Sequence, residues 1–205
     1  TTEVALGQFL DVRSENLPLP WGQDPAAAAQ RMRDDALSVV RHKSARYSVR
    51  HPLLIGALLA GMAPSSPTAK HLAEFGEEIG IAFQLRDDEL GVFGSPRVTG
   101  KPAGDDLREG KRTVLLALAW GRCDDTGRKL LGSVLANTET TSNQIAEASA
   151  LIEDCGARAV HEEIIATHRD AGVRALGRLR DEGVVSTASL EDLVELADLL
   201  THRDS

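Results

Sequence analysis

The chain has few of the residues that build β-sheets, disulfide frameworks or membrane spans. Aromatic side chains make up only 3% of its 205 residues, and alanine and leucine dominate the apolar set, which favours helices over strands. Cys123 and Cys155 are its only cysteines. They lack CxxC spacing, so they predict neither a disulfide framework nor a zinc site. No apolar run reaches the roughly 18 residues that a membrane-spanning helix needs.

Positive charge is also scarce. The chain carries 23 Lys and Arg against 31 Asp and Glu, a formal net charge of -8. An acidic chain whose basic residues form no long stripe is a poor partner for nucleic acid or anionic lipid. No charged-then-apolar leader follows Thr1, so no signal peptide is predicted. We therefore expect a reduced, cytoplasmic protein that binds neither nucleic acid nor membrane.

Apolar residues recur with helical spacing along nearly the whole chain, and no stretch alternates as a strand would. Helices are predicted over 1–14, 25–47, 52–61, 67–90, 113–120, 126–137, 142–154, 157–180 and 189–202. Asp24 and Ser66, each followed by proline, are predicted to cap the second and fourth of these helices. The expected fold is all-α, a single-domain helical bundle over residues 1–205.

The helix predicted over 67–90 has an unusual polar stripe opposite its apolar face. The stripe consists of Ala73, Glu77, Gly80, Gln84, Asp87, Asp88 and Gly91. Glycine within a helix costs about 1 kcal/mol relative to alanine, so glycines among carboxylates suggest the lining of a cavity that admits a large ligand. Asp87 and Asp88 supply oxygen ligands suited to Mg²⁺, and a cation would offset acids at a helix C-terminus. A plain solvated face is the alternative.

A long loop is predicted over 91–110, and loops of that length in compact domains are usually functional. Lys101 lies within it and Lys111 just after it, among several glycines. Carboxylates that hold a metal, followed by lysines on a flexible loop, form a site suited to phosphate. The pair Asp34–Asp35 is a competing candidate, but it is expected near a helix N-terminus, where acids are favourable on a solvated face.

Residues 80–113 resemble the second aspartate-rich region of the all-trans isoprenyl (polyprenyl) diphosphate synthases. The matching residues are Gly80, Phe83, Gln84, Leu85, Asp87, Asp88, Gly100, Lys101, Gly104, Asp106, Leu107, Gly110, Lys111 and Thr113. Two more segments resemble the family, through Gly7, Gln8 and Asp11 and through Lys43, Ser44, Tyr47, Pro52 and Gly56. Two residues depart from the pattern: Gly91 stands where many members have a third Asp, and Glu89 where an apolar residue is usual.

The resemblance implies an isoprenoid-synthase bundle, a homodimer, and Mg²⁺-dependent condensation of isopentenyl diphosphate with an allylic diphosphate. The implied metal residues are Asp87 and Asp88. The implied substrate and catalytic residues are Lys43, Ser44, Tyr47, Gln84, Lys101 and Lys111. Among these, the lysines hold the leaving diphosphate, Gln84 orients the substrate, the Ser44 hydroxyl lies near the cation, and Tyr47 stabilises developing positive charge.

The family's first aspartate-rich motif, which should precede Gly7, is absent from the chain. We therefore expect a synthase incomplete at its N-terminus and inactive on its own. The alternatives are a non-catalytic or partner-dependent subunit of a heteromeric synthase, or a related class I terpene cyclase. A cyclase would carry an Asn-x-x-x-Ser-x-x-x-Glu metal triad, which is not found. Product length is set beside the absent motif, so the sequence does not specify it.

Overall fold

A computed structural model describes residues 2–100, 102–136 and 140–202. Its helices are α1 Thr2–Asn16, α2 Pro25–Val39, a π-helix Val40–Arg50, α3 His51–Leu59, α4 Pro67–Phe93, α5 Pro96–Thr99, α6 Asp105–Arg108, α7 Val114–Arg122, α8 Asp125–Leu135, α9 Ser142–Asp154, α10 Ala157–Glu182 and α11 Thr187–Thr201. These residues include no strand, so the all-α prediction is confirmed. Within the same ranges, no helix combines the length and apolarity needed to cross a bilayer.

Two predicted helix N-termini are confirmed, and at each of them a side chain caps the first turn. The backbone N–H of Ala27 donates to Asp24 Oδ2 at 2.8 Å, and that of Ala69 donates to Ser66 Oγ at 3.1 Å. Two predictions were wrong in part. The helix predicted over 25–47 changes to a π-helix at Val40, and the predicted loop over 91–110 contains the end of α4 and two short helices.

The chain divides into two compact units, and α1, α4 and α10 contribute residues to both. The first unit comprises residues 2–7, Val40–Arg86 and 164–202, and the second comprises Gln8–Val39 and Asp87–Glu163. Each unit has its own apolar core. The first core contains Leu72, Phe75, Ile79, Ala175, Leu176, Leu179, Leu190 and Ala197. The second contains Val92, Leu107, Leu115, Leu116, Leu131, Val134, Ile145, Ala148 and Ile152. A single domain over 1–205 stays a prediction.

Helix α4 is buried over more of its circumference than its pattern indicates. Its apolar face is predicted from the sequence to consist of Leu72, Phe75, Ile79, Ala82, Phe83 and Leu90. All of these are buried except the partly exposed Phe83. Ile81 and Leu85, which lie outside that face, are 1% and 0% exposed. Near the C-terminal end of α4, Asp88 and Glu89 are buried whereas Asp87 is exposed.

Candidate functional site

The π-helix Val40–Arg50 carries three of the predicted site residues, Lys43, Ser44 and Tyr47. Helices with i→i+5 hydrogen bonds are rare, and they occur frequently at functional sites. Lys43 and Ser44 are partly buried, whereas the Tyr47 side chain is 56% exposed. The sequence pattern predicted an ordinary helix here, because apolar spacing does not distinguish a π-helix from the end of an α-helix.

Three glycines of the first unit pack directly against the π-helix backbone. A Cβ added at Gly80 would lie 2.6 Å from Ala45 Cα, and one added at Gly76 would lie 2.8 Å from Arg50 Cα. A Cβ at Gly7 would overlap the backbone nitrogen of Lys43. The cavity expected beside Gly80 is therefore filled by a neighbouring helix, and that interpretation was wrong. Gly80 in the polar stripe and Gly7 in the Gly-Gln-x-x-Asp segment both serve close helix packing.

Ser44 connects the π-helix to α4. Its Oγ donates to Gln84 Oε1 at 2.5 Å, in a partly buried contact. Gln84 is three residues before Asp87 in α4, which places the two side chains on neighbouring positions of one helix face. The structure therefore brings together Ser44 and Gln84, two residues that the sequence placed in the same site although 40 positions separate them.

Burial separates the three consecutive acids of α4. Asp87 is exposed, Asp88 is 7% exposed and Glu89 is 2% exposed. Only Asp87 therefore presents its carboxylate to solvent, where a metal with bound ligands could reach it. The helix continues to Phe93, so these acids lie more than a turn before its end, and a helix-dipole effect on them is weaker than expected.

Glu89 has a structural explanation in the second unit. Its Oε1 accepts a hydrogen bond from Arg158 Nε at 2.7 Å. Arg158 Nη1 also donates to Glu153 Oε2 at 2.9 Å, and its guanidinium carbon lies 4.4 Å from the centre of the Phe93 ring. The family resemblance predicts an apolar residue at this position. The acid found there instead forms an ion pair with an arginine of α10. Sequence reasoning missed Arg158, because 69 residues separate it from Glu89.

Gly91, at the position of the family's third Asp, has no space for any side chain. A Cβ there would lie 2.8 Å from Asp106 Oδ1 and would overlap the rest of that carboxylate. Asp106 is 6% exposed, and the charge of Asp87 acts on it. Gly91 lies one helical turn after Asp87. The carboxylate of Asp106 therefore occupies the volume that a larger residue at position 91 would need.

Lys111 forms an ion pair with Asp106. Its Nζ lies 2.5 Å from Asp106 Oδ1 and 3.3 Å from Glu109 Oε2. Burial raises the pKa of the Asp106 carboxyl, while the hydrogen bond from Lys111 lowers it. Burial lowers the pKa of Lys111, but the contact with Asp106 outweighs that effect and raises it. Lys111 as a diphosphate ligand stays a prediction.

The predicted residues fall into two sets, one in each unit. Lys43, Ser44, Tyr47 and Gln84 belong to the first unit, and Asp87, Asp88 and Lys111 belong to the second. Lys101 lies outside the described residues. Within 2–100, 102–136 and 140–202, no three His, Cys, Asp or Glu side chains group closely enough to hold a metal by themselves.

The competing acidic pair has a different setting. Asp34 and Asp35 are both exposed in α2, nine and ten residues after its first residue Pro25, so the expected position near a helix N-terminus was wrong. Gln30 Nε2 donates to Asp34 Oδ1 at 2.9 Å on that surface. Both acids nevertheless lie on a solvated face, as expected.

Comparison with known proteins decides the family. A family model described as polyprenyl synthetase matches residues 1–152. The chain belongs to this family. A geranylfarnesyl diphosphate synthase of Aeropyrum pernix is 35% identical over 155 residues, which is 76% of this chain and 43% of that protein. A (2E,6E)-farnesyl diphosphate synthase of Mycobacterium bovis is 34% identical over 154 residues, 74% of this chain and 41% of that protein.

Solved polyprenyl synthases share the fold. A geranylgeranyl pyrophosphate synthase from Corynebacterium glutamicum, solved in complex with isoprenyl diphosphate and magnesium, is 37% identical to this chain. It superposes with a TM-score of 0.83 over 99% of this chain and 53% of that one. The chain thus has the all-α isoprenoid-synthase fold, and it spans less than half the length of the curated relatives that it matches.

Proposed function

We propose that this chain forms the C-terminal part of a trans-prenyltransferase, which condenses isopentenyl diphosphate with an allylic diphosphate. Membership of the polyprenyl synthetase family supports this reaction class. The observation that carries the proposal is the arrangement on α4. Among Asp87, Asp88 and Glu89, only Asp87 is exposed. It lies about one turn after Gln84, which accepts a hydrogen bond from the Ser44 hydroxyl.

The residues fit a divalent cation and a diphosphate. Asp87 would hold Mg²⁺ directly, and the buried Asp88 beside it would orient the cation's bound water. When bound, Mg²⁺ stabilises the negative charge that develops on the departing diphosphate. Lys43 would add a point charge to a bound diphosphate, with Lys101 and Lys111 as further candidates. Gln84 and Ser44, already hydrogen-bonded to each other, would fix the substrate's orientation, and Tyr47 would place its oxygen near developing positive charge.

Calorimetry of pyrophosphate binding, with and without Mg²⁺, tests this proposal on the chain itself. We expect Mg²⁺ to raise pyrophosphate affinity by about tenfold or more. Asp87→Ala should abolish that increase. Asp34→Ala is the matched control, because it removes an exposed acid from a solvated helix face, and it should retain the increase. Equal pyrophosphate affinity with and without Mg²⁺ in the unaltered chain would contradict the proposal.

Turnover is a separate question. Since the relatives are more than twice as long as the aligned segment, we propose that the 205 residues alone bind diphosphate without condensing prenyl groups. An assay with labelled isopentenyl diphosphate and geranyl diphosphate checks this, and robust product formation would refute it. We further propose that the complete enzyme is cytoplasmic and forms a homodimer. Sedimentation of the complete protein measures its oligomeric state directly.

A further inference from the structure

A single carboxylate of α1 contacts both ends of the π-helix. Glu3 Oε1 accepts from Arg46 Nη1 at 2.6 Å and lies 3.2 Å from His42 Nδ1. Its other oxygen, Oε2, lies 2.7 Å from Nε2 of His51, the residue that follows the π-helix. The Glu3 side chain is 30% exposed, so this cluster is partly shielded from solvent. No role suggested by the sequence or by the family resemblance involves Glu3.

These contacts are compatible with a π-helix and not with an α-helix. His42 and His51 are nine residues apart. In an α-helix, with 100° per residue, nine residues end on the opposite face, half a turn away. A π-helix has about 4.4 residues per turn, so nine residues make almost two full turns and return to the same face. One carboxylate can therefore reach both histidines only while the segment between them keeps its π-helical hydrogen bonds.

A second carboxylate, that of Glu77, also contacts arginines of the π-helix. Glu77 of α4 accepts from Arg46 Nε and Nη2 at 3.3 Å and 3.2 Å. Its Oε2 also lies 3.6 Å from Arg50 Nε. The contacts of Glu77 cover only positions 46 and 50, which are four apart and share a face in either type of helix. Glu77 thus holds the helix in place, whereas Glu3 distinguishes between the two types.

The type of helix determines where Lys43 points relative to its neighbours. Each residue turns about 18° less in a π-helix than in an α-helix, so four residues accumulate a difference of about a fifth of a turn. A return to α-helical bonding would therefore rotate Lys43 relative to Tyr47 and away from its present direction. It would also move Ser44 relative to Gln84, with which it forms a 2.5 Å hydrogen bond.

We infer that Glu3 is a positioning residue, which keeps residues 40–50 π-helical and thereby directs Lys43 and Ser44 toward the bound diphosphate. The inference rests on the proposed function for its second half, and on the Glu3 contacts alone for its first. Glu3 acts through His42, Arg46 and His51 and does not itself touch substrate.

The experiment compares Glu3→Gln with Glu191→Gln, which removes the same charge from an exposed position of α11. Through-hydrogen-bond NMR couplings identify the carbonyl that each amide of residues 45–51 bonds, five or four positions earlier. Calorimetry measures the affinity for Mg²⁺ with pyrophosphate. We expect Glu3→Gln to shift these amides toward partners four positions earlier and to weaken binding about tenfold, with Glu191→Gln unchanged in both.

His51→Leu is the second variant, because it releases only the far end of the cluster and leaves Glu3 charged. It should produce the same shift in hydrogen-bond partners. If the backbone hydrogen-bond partners are unchanged in both variants, the inference is overturned. If they change while the affinity for Mg²⁺ with pyrophosphate does not, the positioning role is overturned. If the unaltered chain fails to bind pyrophosphate with Mg²⁺, the proposed function is refuted, while the couplings still decide whether Glu3 maintains the π-helix.

Discussion

Two acidic residues in each unit of the chain differ in how far their side chains are buried. In the first unit, Glu3 and Glu77 are 30% and 23% exposed, and each contacts more than one basic side chain. In the second unit, Glu89 and Asp106 are 2% and 8% exposed as side chains, beside Arg158 and Lys111. Solvent screening weakens a contact between partly exposed charges, whereas a buried acid that loses a cationic partner stays desolvated. Mutating the basic partner should therefore lower the free energy of unfolding far more for a buried acid than for an exposed one.

The largest expected effect is at Arg158. Arg158→Met removes the arginine partner of the buried Glu89 carboxylate, which should lower the free energy of unfolding by up to about 3–5 kcal/mol, as measured by urea denaturation. The double variant Glu89→Leu/Arg158→Met should recover most of this loss, because it removes both charges. Arg178→Met is the control: its ion pair with Glu74 joins side chains 44% and 48% exposed, and it should cost less than about 1 kcal/mol. Equal losses for Arg158 and Arg178 would remove the distinction between the units.

The next effect concerns the contact between Gly91 and Asp106. Gly91→Ala should destabilise the chain by about 1–3 kcal/mol, because the new methyl group overlaps the buried carboxylate. Gly177→Ala in α10 is the control, since nothing lies within 4 Å of its added Cβ, and it should stabilise the chain by up to about 1 kcal/mol. In a double-mutant cycle with Asp106→Ala, the cost of Gly91→Ala should shrink. An additive cycle would show that the two residues do not meet.

A smaller effect follows from the pKa of Glu3, which its hydrogen bonds with Arg46 and then His51 lower to about 2 from the usual 4.5. A lowered folded-state pKa contributes stability above about pH 4.5, and this contribution is lost as the pH falls toward 2. Because the side chain is partly exposed, screening limits the effect to about 1 kcal/mol. Acid unfolding should therefore be shallower in Glu3→Gln than in the unaltered chain. Identical pH profiles would contradict the ionised Glu3 cluster.

The smallest expected change comes from the exposed acids. Without Mg²⁺, Asp87→Ala and Asp34→Ala should each alter the free energy of unfolding by no more than about 0.5 kcal/mol, since both side chains face solvent. Thermal unfolding of the two variants beside the unaltered chain measures this. A large loss for Asp87→Ala would mean that its carboxylate supports the fold as Glu89 does, and its use as a metal ligand would then lose its main support.

The sequence by itself determined the features that depend on neighbouring residues. Helix α9 has the predicted bounds, 142–154, and Asp24 and Ser66 cap helices as expected. Hydrophobic periodicity and capping act within a few residues, so a linear pattern contains them. The motif around Asp87 was likewise sufficient to predict the family.

Only the tertiary structure decided what depends on distant residues. Arg158 explains Glu89 across 69 positions, and Asp106 of α6 explains Gly91. The π-helix is the clearest case, because Glu3 contacts it across 39, 43 and 48 positions. Local propensity does not distinguish π-helical from α-helical hydrogen bonds over Val40–Arg50. Glycines of α1 and α4 admit the backbone of this helix, and a π-helix places both histidines within reach of one carboxylate, as an α-helix would not.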